Sequence, residues 1–257
     1  QNKRLESNVQ RADRLSAIGT MAAGMAHEIK NPLQSIKTFT QLLPARFEDP
    51  DFRKTFFEVV PPEVQRIDSI VSRLLDFARP KPVHFAPIRL SKVINKVLAL
   101  VENQILKENI SIKTDFSSSE NTIIADEQQL HQVFLNLFLN AIHALKSREQ
   151  RSIHIYQYHD RAHLRRNGQM TLFDIPCTRV VVSDTGCGIQ PEHIEQLFTP
   201  FFTTKDDGCG LGLSVVHNIV TEHGGEIDVQ STPGGGTSFT VTFPLASNAE
   251  LAERIGV

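Results

Sequence analysis

Apolar or small residues at Leu15, Ile18, Ala22, Met25 and Ile29 advance in alternating steps of three and four. That is the a/d seam of a coiled coil or helical bundle, so the spacing predicts a helix with one buried stripe. Upstream, Leu5, Val9 and Ala12 step similarly but join the later series after an extra three. Such a phase shift suits a signal-transmitting helix and equally a frayed terminus. Pro32 interrupts the helix and should kink it, because proline removes a backbone donor and crowds the carbonyl four residues earlier; the helix then resumes through Leu42. A second run, Val64, Ile67, Ile70, Val71, Leu74, Leu75 and Ala78, again sets one apolar face at helical spacing. Pro61 and Pro62 sit just before it and predict a break in any helix from Asp51. Two such helices pair as an antiparallel hairpin with too little apolar contact of its own. Two copies would bury both stripes in a four-helix bundle, so a homodimer is expected.

Arg79-Pro80-Lys81-Pro82 reads as a stiff linker and a domain boundary. Beyond it the pattern turns mixed. Helices are expected over Leu90 to Glu108, Asp126 to Leu145 and Leu211 to His223, and strands over Ile110 to Phe116, Thr122 to Ala125, Ile153 to Tyr158, Arg179 to Ser183, Gly225 to Ser231 and Thr237 to Pro244. Hairpins mixed with segregated helices point to an α+β sandwich, one mixed sheet covered by helices on a single face. The polar stretch from His159 to Thr178 reads as a surface excursion. The expected domains are a signalling helix over residues 1–14, a dimerising hairpin over 15–82, the sandwich over 83–246 and a tail over 247–257.

The chain's 257 residues, 40% hydrophobic and 22% charged, suit two ordinary soluble domains. A formal charge of −2 supplies no general reason to bind nucleic acid or an anionic membrane, and neither is expected. Three cysteines without C-x-x-C spacing argue against a disulfide framework or structural zinc and fit a reducing cytoplasm. No apolar run approaches the roughly 20 residues that span a bilayer. The polar start lacks an initiating Met, so the chain reads as a cytoplasmic fragment, with a membrane segment upstream left open.

Four groups of residues could carry chemistry. With Met25 at d and Ile29 at a, His27 falls at f and points away from the seam into solvent. An exposed histidine is usually only solvated, but this one has Glu28 beside it and Asn31 one turn later on the same face. Asn136 and Asn140, four apart, also share a face. Their amide carbonyls suit a hard cation such as Mg²⁺, or else form a polar face or a helix–helix hydrogen bond. His143 reads either as a phosphate contact when cationic or as a surface residue. Asp184-Thr185-Gly186-Cys187-Gly188-Ile189 follows the apolar strand at Val180 to Val182. A carboxylate there can accept from an exocyclic amine such as adenine's, with glycines letting backbone approach a flat ring; a capped glycine turn is the plainer reading. Gly208-Cys209-Gly210-Leu211-Gly212-Leu213 opens a helix whose N–H groups favour phosphate, and it is neither a P-loop nor a dinucleotide fingerprint.

His27-Glu28-Ile29-Lys30-Asn31-Pro32 resembles the H-box of histidine kinases. The Asn136 to Ala141 box, the Asp184 turn, Phe198-Thr199-Pro200-Phe201-Phe202, the Gly208 to Leu213 loop and Gly235-Gly236-Thr237-Ser238-Phe239 follow in that order. They resemble the N, G1, F, G2 and G-T-x-F motifs of the Bergerat ATPase fold of gyrase, Hsp90, MutL and histidine kinases. From Leu15 to Pro244 the chain is similar to a sensor histidine kinase core, with a short lid from Phe198 to Gly208 that resembles the nitrogen-regulation type. The resemblance implies that Asp184 reads the adenine amine of ATP, with Thr237, Gly186 and Gly188 lining the pocket. It implies that Asn140, helped by Asn136, holds Mg²⁺, and that Gly208, Gly210, Leu211 and Gly212 flank the phosphates. Lys205 is a phosphate contact or an exposed lysine. It further implies that His27 takes the γ-phosphoryl group with Glu28 as base and passes it to a response regulator receiver domain, and that Asn31 serves a reverse phosphatase activity. Cys209 stands where Thr or Ser is common, and Cys187 lies in the other turn; both read as buried inert thiols or as oxidation reporters.

Overall fold

The computed structural model describes residues 29–78, 83–116, 122–146, 148–166, 169–170, 174–205 and 210–246. The phase-shifted helix before Leu15, His27, Glu28, the Arg79 to Pro82 linker, Gly208, Cys209 and the tail lie outside them. Contacts divide the chain into a first unit of Gln1–Pro82 with Lys205–Cys209 and a second built from Val83–Thr204 and Gly210–Val257.

The first unit is a hairpin. Helix α1 occupies residues 29–46 and α2 spans Pro50–Ala78. Asp49 starts α2, its Oδ1 accepting from Asp51 N at 3.0 Å and Phe52 N at 3.3 Å, which satisfies two of the donors a helix start leaves open. Near this tip Phe39 meets Phe52 at 5.8 Å and Phe56 at 6.3 Å between ring centroids, and Phe52 is buried. The expected break at Pro61 and Pro62 is absent: α2 runs through both prolines. Proline's φ is helical; two N–H donors are lost, and each ring crowds the carbonyl four residues earlier. The carbonyls they would have served, of Phe57 and Glu58, belong to exposed residues and can bond water. Leu33, Leu42, Phe57, Val64 and Val71 remain exposed.

The second unit is built on a five-stranded mixed sheet. Its strands are β2 (Ser111–Asp115), β4 (Ser152–Ala162), β7 (Ile175–Asp184), β8 (Glu226–Thr232) and β9 (Gly236–Pro244), in the order β2-β4-β7-β9-β8. Only β2–β4 is parallel. A two-stranded sheet of β1 (Ala86–Ile88) and β3 (Ile123–Ala125) lies outside it, with β1 unforeseen in the sequence. Strands alternate faces. Ile153, Ile155, Val180, Val182, Phe239, Val241 and Phe243 enter one core with α3 (Leu90–Lys107), α4 (Glu127–Ala144) and α6 (Gly212–Glu222). Helix α4 alone buries Leu130, Val133, Phe134, Leu137, Phe138, Ala141 and Ile142, which contributes on the order of 10 kcal/mol of transfer free energy before chain entropy is subtracted. Helix α5 (Pro191–Ile194) is a single turn.

The stretch read as an excursion is largely strand. β4 continues to Ala162 and pairs with β7 down to Ile175, and β5 (Arg165–Arg166) pairs with β6 (Gln169–Met170) beyond it. Along β4 the successive residues His159, Asp160 and Arg161 are all exposed, so polarity does not alternate there and periodicity cannot reveal the strand. Polar side chains hold it instead: Arg179 Nε lies 3.0 Å from Asp160 Oδ2, and Arg161 Nη2 donates to the Asp174 carbonyl at 2.7 Å.

Candidate functional site

Three neighbouring strands end on one row of polar side chains. Asp184 pairs with Thr237 across β7–β9, and Thr237 pairs with Ser231 across β9–β8, so all three share the helix-facing side. Asp184 and Thr237 are buried, at 7% and 5% exposure. Asp184 Oδ1 accepts from Gly186 N at 2.8 Å, which orients the carboxylate and starts the turn. Thr237 Oγ1 lies 2.9 Å from Ser231 Oγ, which also accepts from Ile189 N at 2.9 Å and contacts the Gly236 carbonyl at 3.0 Å.

The glycines of the turn are required by space. A Cβ on Gly186 would lie 2.6 Å from both Ala144 Cβ and Asp184 Oδ1. Gly188 has φ +69°, and its Cβ would lie 2.0 Å from the Thr232 carbonyl oxygen. Backbone bonds fix the turn on two sides: Cys187 N donates to Ala144 O at the end of α4, and Gly234 N donates to Cys187 O at 2.7 Å. Arg148 Nη2 donates to Gly234 O at 2.7 Å and ties the β8–β9 turn to the loop after α4. Cys187 is exposed, contrary to the buried reading, because its own backbone rather than its side chain makes these contacts. Cys177 is the buried thiol, pushed up in pKa chiefly by burial against the opposing pull of Arg179.

Asn136 and Asn140 are half-buried on α4 and His143 is exposed one turn on. A Cβ on Gly212 would sit 3.3 Å from Asn136 Oδ1, so the first residue of α6 rests against that amide. Gly210 has φ +64° and its carbonyl accepts from Phe201 N at 2.9 Å, while Phe201 itself has φ +66°. Leu211 is buried and Ser214 Oγ donates to its carbonyl. Lys205 is the last described residue before 206–209. In the first unit Asn31, Gln34, Ser35 and Thr38, on one face of α1, line a shallow cleft with Phe39. Among the described residues no three His, Cys, Asp or Glu gather as a metal site, and no helix is long and apolar enough to cross a membrane.

A second polar knot lies at the start of α4. Asp126 Oδ1 accepts from Gln128 N and Gln129 N, and its Oδ2 accepts from His84 N at 2.7 Å. Asp126 N donates to His223 Nε2 at 3.0 Å, so the histidine is neutral, with its proton on Nδ1 directed at Ile219 O, 2.7 Å away. Burial pushes the Asp126 carboxyl up, but the backbone N–H groups of His84, Gln129 and Gln128 outweigh it and the net direction is down. Burial, against Ile219 O, Glu222 and Asp126, holds His223 below the usual histidine range. Ser231 and this knot were not singled out from the sequence. Counting back from Thr237 through the Pro233-Gly234-Gly235 turn would have found Ser231.

A buried carboxylate and hydroxyls thus lie at the end of a helix-covered mixed sheet, beside a turn that only glycine fits. Residues 125–247 match the family of histidine kinase-, DNA gyrase B-, and HSP90-like ATPases, and residues 17–82 match the His Kinase A (phospho-acceptor) domain. The catalytic domain of histidine kinase ThkA is 33% identical, with 63% of this chain and 95% of that one covered and a TM-score of 0.52. The chain belongs to the histidine kinase family. ThkA in complex with the response regulator protein TrrA is 30% identical with a TM-score of 0.75, over 95% of this chain and 66% of that one. Sensor histidine kinase ZraS of Klebsiella oxytoca is 36% identical over 247 residues, 95% of this chain and 49% of that protein. The chain thus spans about half the length of that curated relative.

Proposed function

We propose that this chain is the dimeric core of a two-component sensor kinase, which binds Mg-ATP in its second unit and phosphorylates His27 in its first. The buried Asp184–Thr237 pair on the sheet end carries the reading, because an acceptor there suits the amine of adenine. Gly186 and Gly188 let the ring approach. Asn140 and Asn136 offer amide oxygens that fit a hard cation, and when bound Mg²⁺ neutralises charge on the phosphates. His143, Lys205 and the Gly208, Gly210, Leu211 and Gly212 loop serve the phosphates.

A nitrogen of His27 attacks the γ-phosphorus; the N–P bond forms as the P–O bond to ADP breaks, and Glu28 takes the proton from the other ring nitrogen. A receiver-domain Asp then accepts the phosphoryl group, and Asn31 positions water for the reverse reaction. The solved complex of ThkA with a response regulator supports such a partner, and the exposed apolar residues of the hairpin support a homodimer. The domains run 1–14, 15–82, 83–246 and 247–257, the short lid is of the nitrogen-regulation type, and the chain works in the cytoplasm.

The test is incubation with γ-labelled ATP and Mg²⁺, wild type beside His27→Gln. Acid-labile, alkali-stable label lost in the variant is expected. Steady phosphate release with no label in either protein would instead indicate a water-using ATPase, a reading disfavoured because α4 carries no carboxylate from Phe134 to its end.

A further inference from the structure

We infer that Arg148 is a positioning residue for the nucleotide: it closes a ring of hydrogen bonds that holds the turn from Gly186 to Gly188 in shape before a base arrives. The inference rests on the proposal that this turn carries adenine. At the end of α4, Ala144 O accepts from Cys187 N at 3.2 Å, and Cys187 O accepts from Gly234 N at 2.7 Å. Gly234 O accepts from Arg148 Nη2 at 2.7 Å. Arg148 N donates to Leu145 O at 3.0 Å, next to Ala144 where the ring began. Every bond but one joins backbone to backbone, and the exception is the guanidinium of Arg148.

The ring encloses both supports of the turn. Gly186 packs on Ala144 and Gly188 on the Thr232 carbonyl, too close for a Cβ at either position. Glycines have no side chains to anchor them, so the turn keeps its shape through backbone bonds and these two walls. Arg148 is a fixed post for the far wall: its own carbonyl accepts from Arg151 Nε at 2.8 Å, and Arg151 also bonds Glu108. Without the guanidinium, the exposed Gly234 is held to the turn only through its N–H on Cys187 O. One exposed hydrogen bond contributes about as much as ordering one residue costs, so open and closed turns become comparable in population. Apparent affinity falls by the fraction of time the turn is closed. Because the ring surrounds the turn for the base, ligands with and without phosphates lose by the same factor.

The experiment is calorimetric binding of adenosine and of ADP to the full chain, wild type beside Arg148→Ala, Arg148→Met and Asp184→Asn, with amide hydrogen exchange followed on the same proteins without ligand. Arg148→Ala should weaken both ligands by one common factor, about threefold. It should speed exchange of the Gly234 amide several-fold while amides in the middle of β4 and β7 exchange as in wild type, a local opening that a general loss of stability would not give. Arg148→Met keeps the aliphatic stem and removes the donors; it should match the alanine variant and decides the matter if that one fails to fold. Weakening of ADP with adenosine unchanged would make Arg148 a charge acting on the phosphates and overturn the inference. Unchanged affinity for both ligands, or unchanged exchange at Gly234, would overturn it too. Unchanged ADP binding in Asp184→Asn would overturn the underlying adenine reading, whereas loss there beside wild-type affinity in Arg148→Ala removes only the role of Arg148.

Discussion

Acidification from pH 7.5 to 5.5 should loosen the second unit through His223, and replacing that residue should remove the effect. His223 is 6% exposed, sits edge-on to Phe85 and Phe243 at 5.1 and 6.3 Å, and holds Asp126 N through an unprotonated Nε2. Its folded pKa lies below the ordinary value, so the unfolded chain takes the proton first. The neutral ring's contribution is therefore whole above the unfolded pKa of about 6.5 and is lost as pH falls below it. One proton bound only by the unfolded state costs at most about 1.4 kcal/mol at pH 5.5. Asp126 does not confuse the window. Its carboxyl is depressed, so its contribution is present above about 3.9 and fades only as pH falls through the lower folded value. Glu222 and the His84 backbone are the other nearby polar groups, and both remain in a His223 variant.

The chain has no Trp, and its only two tyrosines, Tyr156 and Tyr158, lie on β4. Tyrosine fluorescence during urea unfolding thus reports this unit alone. His223→Phe keeps the aromatic packing but orphans Asp126 N, and should cost about 1 to 3 kcal/mol at pH 7.5. At pH 5.5 the difference from wild type should shrink by roughly 1 kcal/mol. A wild-type minus variant difference that is the same at both pH values would refute the reasoning.

Arg151 bonds the Glu108 carbonyl and carboxylate and the Lys146 and Arg148 carbonyls, so Arg151→Ala should cost about 2 to 3 kcal/mol in the same unfolding assay, with Lys recovering little. Asn109 has φ +52° and closes α3 with Ile110 N donating to Ile105 O; Asn109→Gly should stabilise by about 0.5 kcal/mol and Asn109→Val should destabilise, read as midpoint shifts. Gly188→Ala forces a Cβ against Thr232 O and should abolish ADP binding, measured by calorimetry, while the hairpin stays helical by circular dichroism.

Helical periodicity was enough to place α3, α4 and α6, because each buries a stripe whose neighbours are polar. Strand ends were harder. β4 beyond Tyr158 has successive exposed residues, and β1 is three residues held by pairing with β3, so neither leaves a periodic trace. The double proline misled because a helix tolerates lost donors where the facing carbonyls are wet. At the site, Asp184, Thr237 and the glycines were legible as types in order, since close approach admits only glycine at Gly186 and Gly188. Ser231 and the Asp126–His223 bond were not, being a common serine and a contact across 97 positions of sequence that only the packed sheet creates.

Peptide mapping after labelling with γ-labelled ATP asks whether a nucleotide held by Asp184 phosphorylates His27. The expected result is label confined to the peptide that contains His27 in wild type and absent in Asp184→Asn. Label on another peptide, or undiminished label in Asp184→Asn, would contradict it.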